Sequence, residues 1–214
     1  MTKTIVNLAT NDTQYTRAQE RLKNSVSSYT SEFDFVSYVG EESVGAPKHH
    51  PFNYAFKVYA VDSVKHYDLV LWLDCSIVLV NSPKPVFDLI EKQGFFAENS
   101  GHTVGMWCND RTLEYFGITR EEANKMRMFS SGMTGFNFKT DIGQEFFERW
   151  KQSMSAGMFT GSWKDHRHDQ TCGSIILNQM GLADKYAECG TYFAYIGAAY
   201  APPQPTAIGH LLGV

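Results

Sequence analysis

An aspartate breaks an otherwise apolar, β-prone run near its centre: Leu71-Trp72-Leu73-Asp74-Cys75-Ser76-Ile77-Val78-Leu79-Val80. A carboxylate inside such a strand is costly unless something pairs with it, so the pattern predicts a strand end facing a cleft. An acid at the carboxyl end of a central strand in an open α/β sheet stands where such sheets bind ligands. A metal ion bridging it to a phosphate would compensate its charge. The densest polar cluster is Asp165-His166-Arg167-His168-Asp169. Its His-x-His lacks further ligands at fixed spacing, which favours a polar wall around a ligand over a dedicated metal site. Each candidate also has a plain structural reading: Asp74 as a strand-ending turn residue, Asp169 as a helix cap, Tyr15 as core, and Lys57 as a solvated charge on a helix.

The elements that would position these residues alternate in type. Thr4 to Ala9 reads as a strand, and Thr10-Asn11-Asp12-Thr13 supplies turn and capping chemistry. Tyr15, Ala18, Leu22, Val26 and Tyr29 then recur at helical spacing, which predicts an amphipathic helix. Phe33 to Val39 reads as the second strand, Asn53 to Lys65 as a helix and Leu69 to Leu73 as the third strand. Ile77 to Val80 resumes β character, and a short helix covers Val86 to Lys92. Residues 98 to 128 read as an excursion beside the cleft, with one helix over Arg120 to Arg127. Met133 to Phe138 is a returning strand, and Asp141 to Met154 and Asp169 to Met180 are helices. The tail from Ala198 to Val214 has little periodicity. This order predicts an α/β fold, a mostly parallel sheet with helices on both faces.

Composition narrows the partners. With 214 residues and 43% hydrophobic content, the chain is expected to form one domain over 1–214. A formal charge of −4 without basic runs argues against a nucleic-acid partner. Cys75, Cys108, Cys172 and Cys189 show no CxxC spacing, and no apolar leader follows Met1. Free thiols and a cytoplasmic, reducing setting are the expectation. No apolar run is long enough for a membrane span. There is no GxSxG elbow, P-loop, GxGxxG after a strand, or HExxH.

Several segments, in chain order, resemble one family. They are Leu8-Ala9-Thr10-Asn11-Asp12-Thr13-Gln14-Tyr15, Leu73-Asp74-Cys75-Ser76 with Lys57 upstream, Ser130-Ser131-Gly132, His168-Asp169-Gln170 followed by Ile175-Ile176-Leu177-Asn178, and His210-Leu211-Leu212-Gly213. Together these are similar to the retaining glycosyltransferases of family 8, the glycogenin group, with their Asp-x-Asp, Asn-Ser-Gly, Asp-Gln-x-x-x-Asn and terminal His-x-x-Gly motifs. The resemblance implies a single GT-A (Rossmann-like) domain with a central mixed sheet. It implies that Leu8, Thr10, Asn11 and Tyr15 border the uracil and ribose of a UDP-sugar. Lys57, Asp74, Cys75, Ser131, His168, Asp169 and Gly213 would complete the donor pocket, and Asp169, Lys57 and Gln170 would carry the chemistry. Asp74, Ser76 and His210 would ligate Mn²⁺ or Mg²⁺, which would stabilise a leaving diphosphate. Ser76 departs from the family, which has a second aspartate there, so Asp74 must supply most of the protein's compensating charge.

The expected reaction is transfer of a hexose or deoxyhexose, glucose by default or rhamnose, to a glycan or glycoprotein acceptor with retention of configuration. A stop four residues after His210 is read as a cut from a longer polypeptide with further domains. Two alternatives remain open. A sugar nucleotidyltransferase would normally carry a glycine-rich basic loop after its first strand, and Leu8 to Tyr15 has neither Gly nor Lys. A nucleotide-sugar or glycan-binding module without turnover is encouraged by Ser76.

Overall fold

The two apolar runs that begin and continue the sheet are buried on both faces. Strand β1 (Lys3–Ala9) and strand β3 (Leu69–Leu73) expose almost nothing, as near-continuous Val, Ile and Leu runs require in a parallel sheet covered on both sides. Side-chain alternation divides β3 cleanly. Val70 and Trp72 belong to one core cluster, while Leu69, Leu71 and Leu73 belong to the cluster on the opposite face. A computed structural model describes residues 1–10, 13–29, 32–49, 53–188 and 193–195.

Between β1 and β3 come helix α1 (Thr13–Ser27), strand β2 (Asp34–Val39) and helix α2 (Phe56–Ser63). Strand β4 (Ile77–Leu79) and helix α3 (Lys84–Gln93) follow, then strand β5 (Phe95–Thr103), helices α4 (Asp110–Phe116) and α5 (Arg120–Lys125), and strand β6 (Arg127–Asn137). Helices α6 (Asp141–Ser155) and α7 (His168–Gln179) and the short strand β7 (Phe193–Tyr195) complete the order. The main sheet has the order β2-β1-β3-β6-β5. β1 is parallel to both β2 and β3, β6 runs against β3, and β5 runs against β6. β5 therefore shares the direction of β1, β2 and β3, and the sheet is mixed but mostly parallel. β4 pairs antiparallel with β7 in a second, two-stranded sheet.

The segment between β5 and β6 is a small structured excursion. Asn109 caps α4 by accepting from Thr112 N–H at 2.9 Å, and Thr119 with Glu122 forms a reciprocal capping box at the start of α5. Val104, Cys108, Leu113, Ala123 and Met128 make a satellite core that reaches α7 through Ile175. Three expectations need revision here, the first being the start of the returning strand, which is Arg127 and not Met133. β5 and α4 were not foreseen, because β5 turns polar after Ala97 and shifts register at Ala97/Glu98 and Asn99/Thr103, and α4 is only seven residues long. The expected helix over Asn53 to Lys65 is shorter, since Asn53 Oδ1 accepts from Ala55 N–H and holds a turn ahead of α2. Among the described residues, no helix is long and apolar enough to cross a membrane.

Candidate functional site

Lys57 projects from α2 and is only 2% exposed. A buried ammonium is costly unless closely paired. Its Nζ lies 3.0 Å from Asp74 Oδ1 and 3.0 Å from Asp169 Oδ2, and donates to the Ser131 carbonyl at 3.2 Å. Burial alone would lower the Lys57 pKa, but the charges of Asp169 and Asp74 together outweigh it and raise the value. Lys57 is therefore a fixed cation and not a base near neutral pH.

Asp74 stands one residue beyond the end of β3. Its backbone N–H donates to Gly132 O at 2.8 Å, which ties β3 to β6 at the cleft, and Trp72 Nε1 donates to Asp74 Oδ1 at 2.7 Å. A Cβ on Gly132 would crowd only the end of the Ile77 side chain, at 3.1 Å from Cδ1, and would meet Asp74 Oδ2 at an ordinary contact distance of 3.5 Å. Asp169 lies in the first turn of α7 and is 3% exposed. Its contact with Lys57 is an ion pair by distance without an aligned hydrogen bond, so Oδ2 keeps accepting capacity.

The start of α7 is conformationally specified. His168 has φ 45°, a left-handed value unusual for a non-glycine residue. Its ring stacks on Tyr54 with centroids 4.7 Å apart, and its Nε2 contacts Gly161 O at 2.7 Å. His166 is fully buried, with Nε2 2.8 Å from Met158 O, and burial pulls its pKa down to about 4. Both rings pin the loop before α7.

Lys57, Asp74, His168 and Asp169 line a cavity of about 420 Å³, a size suited to a small polar ligand. Lys57, Asp74 and Asp169 form its floor. Tyr54, His168, Gln170 and the 130–132 segment form the walls, and His102, Trp107, Trp163 and Arg167 are also in the lining. Sequence reasoning did not single out Trp72, Tyr54, Trp107 or Trp163. Only Trp72, two residues before Asp74 and hence on the same strand face, carried a readable signal.

Of the residues singled out from sequence, Lys57, Asp74, Ser131, His168, Asp169 and Gln170 come together in this cavity. Leu8 is buried in the main core, and Tyr15 packs on α1 against Ala9, Ala18 and Cys75. Thr10 follows β1 and is half-buried. Cys75 turns away from the cavity, with Sγ 3.3 Å from Leu8 O, and burial raises its thiol to about 12. Ser76 is buried and absent from the cavity lining. Asn11, Asp12, Cys189, His210 and Gly213 lie outside the described residues. Of the three implied metal ligands, then, Asp74 alone faces the cavity among the described residues. Those residues contain no group of three His, Cys, Asp or Glu side chains that could hold an ion. They do not by themselves build a metal site.

No protein-family model matches the chain. No curated protein matches its sequence significantly. Solved structures do resemble it. The WbbM bifunctional glycosyltransferase in its apo form superposes with a TM-score of 0.52 at 11% identity, over 88% of this chain and 38% of that one. The galactosyltransferase LgtC, in complex with donor and acceptor sugar analogs, matches at 0.43 and 13% identity, over 87% and 72%. A glycosyltransferase involved in glycosylation of the major capsid of PBCV-1 matches at 0.48 and 12% identity, over 88% and 81%. The first match, of which the chain spans well under half, carries the assignment, and the fold is that of GT-A glycosyltransferases.

Proposed function

We propose that the chain is a glycosyltransferase that takes a hexose or deoxyhexose from a UDP-sugar and passes it to a glycan or glycoprotein acceptor with retention. The observation that carries this reading is the buried Lys57 held between Asp74 and Asp169 on the floor of the cavity. Asp169, fixed by α7 and the ammonium, accepts hydrogen bonds from donor sugar hydroxyls. Lys57 holds both carboxylates in place and supplies fixed positive charge beside the leaving group. In the transfer, the bond between the anomeric carbon and the donor phosphate oxygen breaks. The acceptor hydroxyl oxygen bonds to that carbon from the same face, and its proton passes to the departing phosphate oxygen.

Two carboxylates against one ammonium leave the floor with an excess of one negative charge, so an incoming diphosphate calls for a further cation. This supports metal dependence, with Mn²⁺ or Mg²⁺ held by Asp74 and His210 and supplying Lewis-acid stabilisation of the diphosphate when bound. Glucose is the default sugar. The motif order further resembles the N-terminal glycosyltransferase domain of a chlorovirus protein of capsid-glycan synthesis, which makes rhamnose the alternative and a host cytoplasm the setting.

A second reading, a nucleotide-sugar-binding module without turnover, is favoured by one observation: Lys57 and Trp72 already occupy Asp74 Oδ1. A thermal-shift screen tests the nucleotide in both cases. UDP with Mn²⁺ at 100 times its Kd should add about 2.7 kcal/mol of stability, reversed by chelation, while GDP and CMP do little. Equal shifts with all three nucleotides would remove the base-specific reading.

A further inference from the structure

We propose that Trp107, Trp163 and Arg167 form a sugar subsite at the rim of the cavity, and that the sugar it takes carries an acidic group, a carboxylate or a phosphate. Calling this sugar the acceptor rests on the glycosyltransferase reading; its binding does not.

Arg167 sits just before α7, with its guanidinium carbon 4.1 Å from the Trp107 ring centroid and 5.6 Å from that of Trp163. Cation–π contact of this kind does not consume the guanidinium N–H donors, whose fork matches a carboxylate or phosphate bidentately. Among the described residues, no carboxylate lies within ion-pair distance of Arg167, and no hydrogen bond uses its side chain. Asp165, exposed and two residues away, does not reach it.

Trp163 is 48% exposed although it lines the cavity, which leaves an indole surface for the apolar face of a sugar ring. The Trp107 indole N–H is withdrawn from solvent and finds no acceptor among the described residues, so Trp107 contributes its ring to Arg167 and no donor to the sugar. The rim is also firmly built. Arg167 N–H donates to Trp107 O at 3.1 Å, and Thr171 Oγ1 donates to the same carbonyl at 2.6 Å. The His166 and His168 contacts anchor the rest of the loop. Charge then sets orientation. The floor has an excess of carboxylate and the rim carries a cation without a carboxylate partner among the described residues, so an acidic sugar docks with its anion outward and its neutral hydroxyls toward Asp169.

The test measures binding of methyl glucoside, methyl glucuronide and glucose 6-phosphate by saturation-transfer NMR, alongside UDP with Mn²⁺ by calorimetry. The wild type should bind at least one acidic sugar about tenfold more tightly than methyl glucoside, the effect of one charge-assisted contact. The tighter of the two acidic sugars identifies the anion. Arg167→Gln should erase the preference, and Trp163→Ala should weaken all three sugars by about fivefold, with UDP affinity unchanged in both variants. Equal binding of neutral and acidic sugars would overturn the proposal. So would an Arg167→Gln variant that loses UDP as much as it loses acidic sugar, since the guanidinium would then serve the donor diphosphate. UDP binding without any sugar binding would sink the subsite and spare the glycosyltransferase reading. The selective sugar binding without UDP binding would do the reverse.

Discussion

The floor and the rim of the cavity are built from opposite materials. The floor joins three charged side chains, from α2, the end of β3 and the start of α7, with Lys57 and Asp169 almost wholly withdrawn from water. The rim joins two indoles and a guanidinium on the β5–β6 excursion and the loop before α7, with Trp163 half in solvent. Charges at the floor are held by packing and by one another, so removing one injures the fold together with the site. At the rim, Trp163 is half in solvent and can change identity with little cost to the fold.

Breaking the floor should have the largest effect on stability. Lys57→Ala leaves Asp169 buried without its cation, and urea denaturation should show a loss of about 3–5 kcal/mol, the usual result of removing one partner of a buried pair. A loss below about 1 kcal/mol would place the floor in the same class as the rim.

Acid should act on the support beneath the rim. Burial holds His166 neutral and lowers its pKa from 6.5 to about 4, so below the unfolded value the unfolded chain binds more protons than the native one. Its contribution is complete above pH 6.5 and is lost as pH falls toward 4, up to about 3 kcal/mol. His166→Asn should flatten the stability profile in that window. An unchanged slope between wild type and variant would move the acid sensitivity to other groups.

The smallest effect is expected from Trp163→Ala, which should shift stability by less than about 0.5 kcal/mol because about half of the residue is in solvent. A larger loss in denaturant titration would make Trp163 part of the core and weaken the contrast between rim and floor.

The difference between floor and rim also explains what could be read from the chain. β1, β3 and α6 follow directly from apolar runs and helical spacing, and Asp74 was visible because a lone acid in Leu71 to Val80 violates the pattern around it. Asp169 and Lys57 were reached through motif order, but the sharing of one ammonium by Asp74 and Asp169 depends on α2 and α7 meeting beyond the end of β3, which no local pattern encodes. The rim was harder to foresee. Trp107 and Arg167 meet only because the excursion folds back on α7, and β5, which carries that excursion, hides its strand character in Glu98 to His102 behind register shifts. Asn11 and Asp12, expected to border the nucleotide, and His210, expected to hold the metal, lie outside the described residues.

The central claim is that this floor transfers a sugar, and the most direct test is NMR observation of UDP-glucose incubated with Mn²⁺ and either wild type or Asp169→Asn, with water as the default acceptor. The wild type should release UDP, and glucose should appear first as the α anomer. Asp169→Asn should bind UDP normally while turnover falls by about two powers of ten, the loss expected for a positioning or electrostatic contact. Release of the β anomer would contradict retention. A folded wild type that binds UDP yet releases none from UDP-glucose or UDP-rhamnose would contradict the claim of transfer itself.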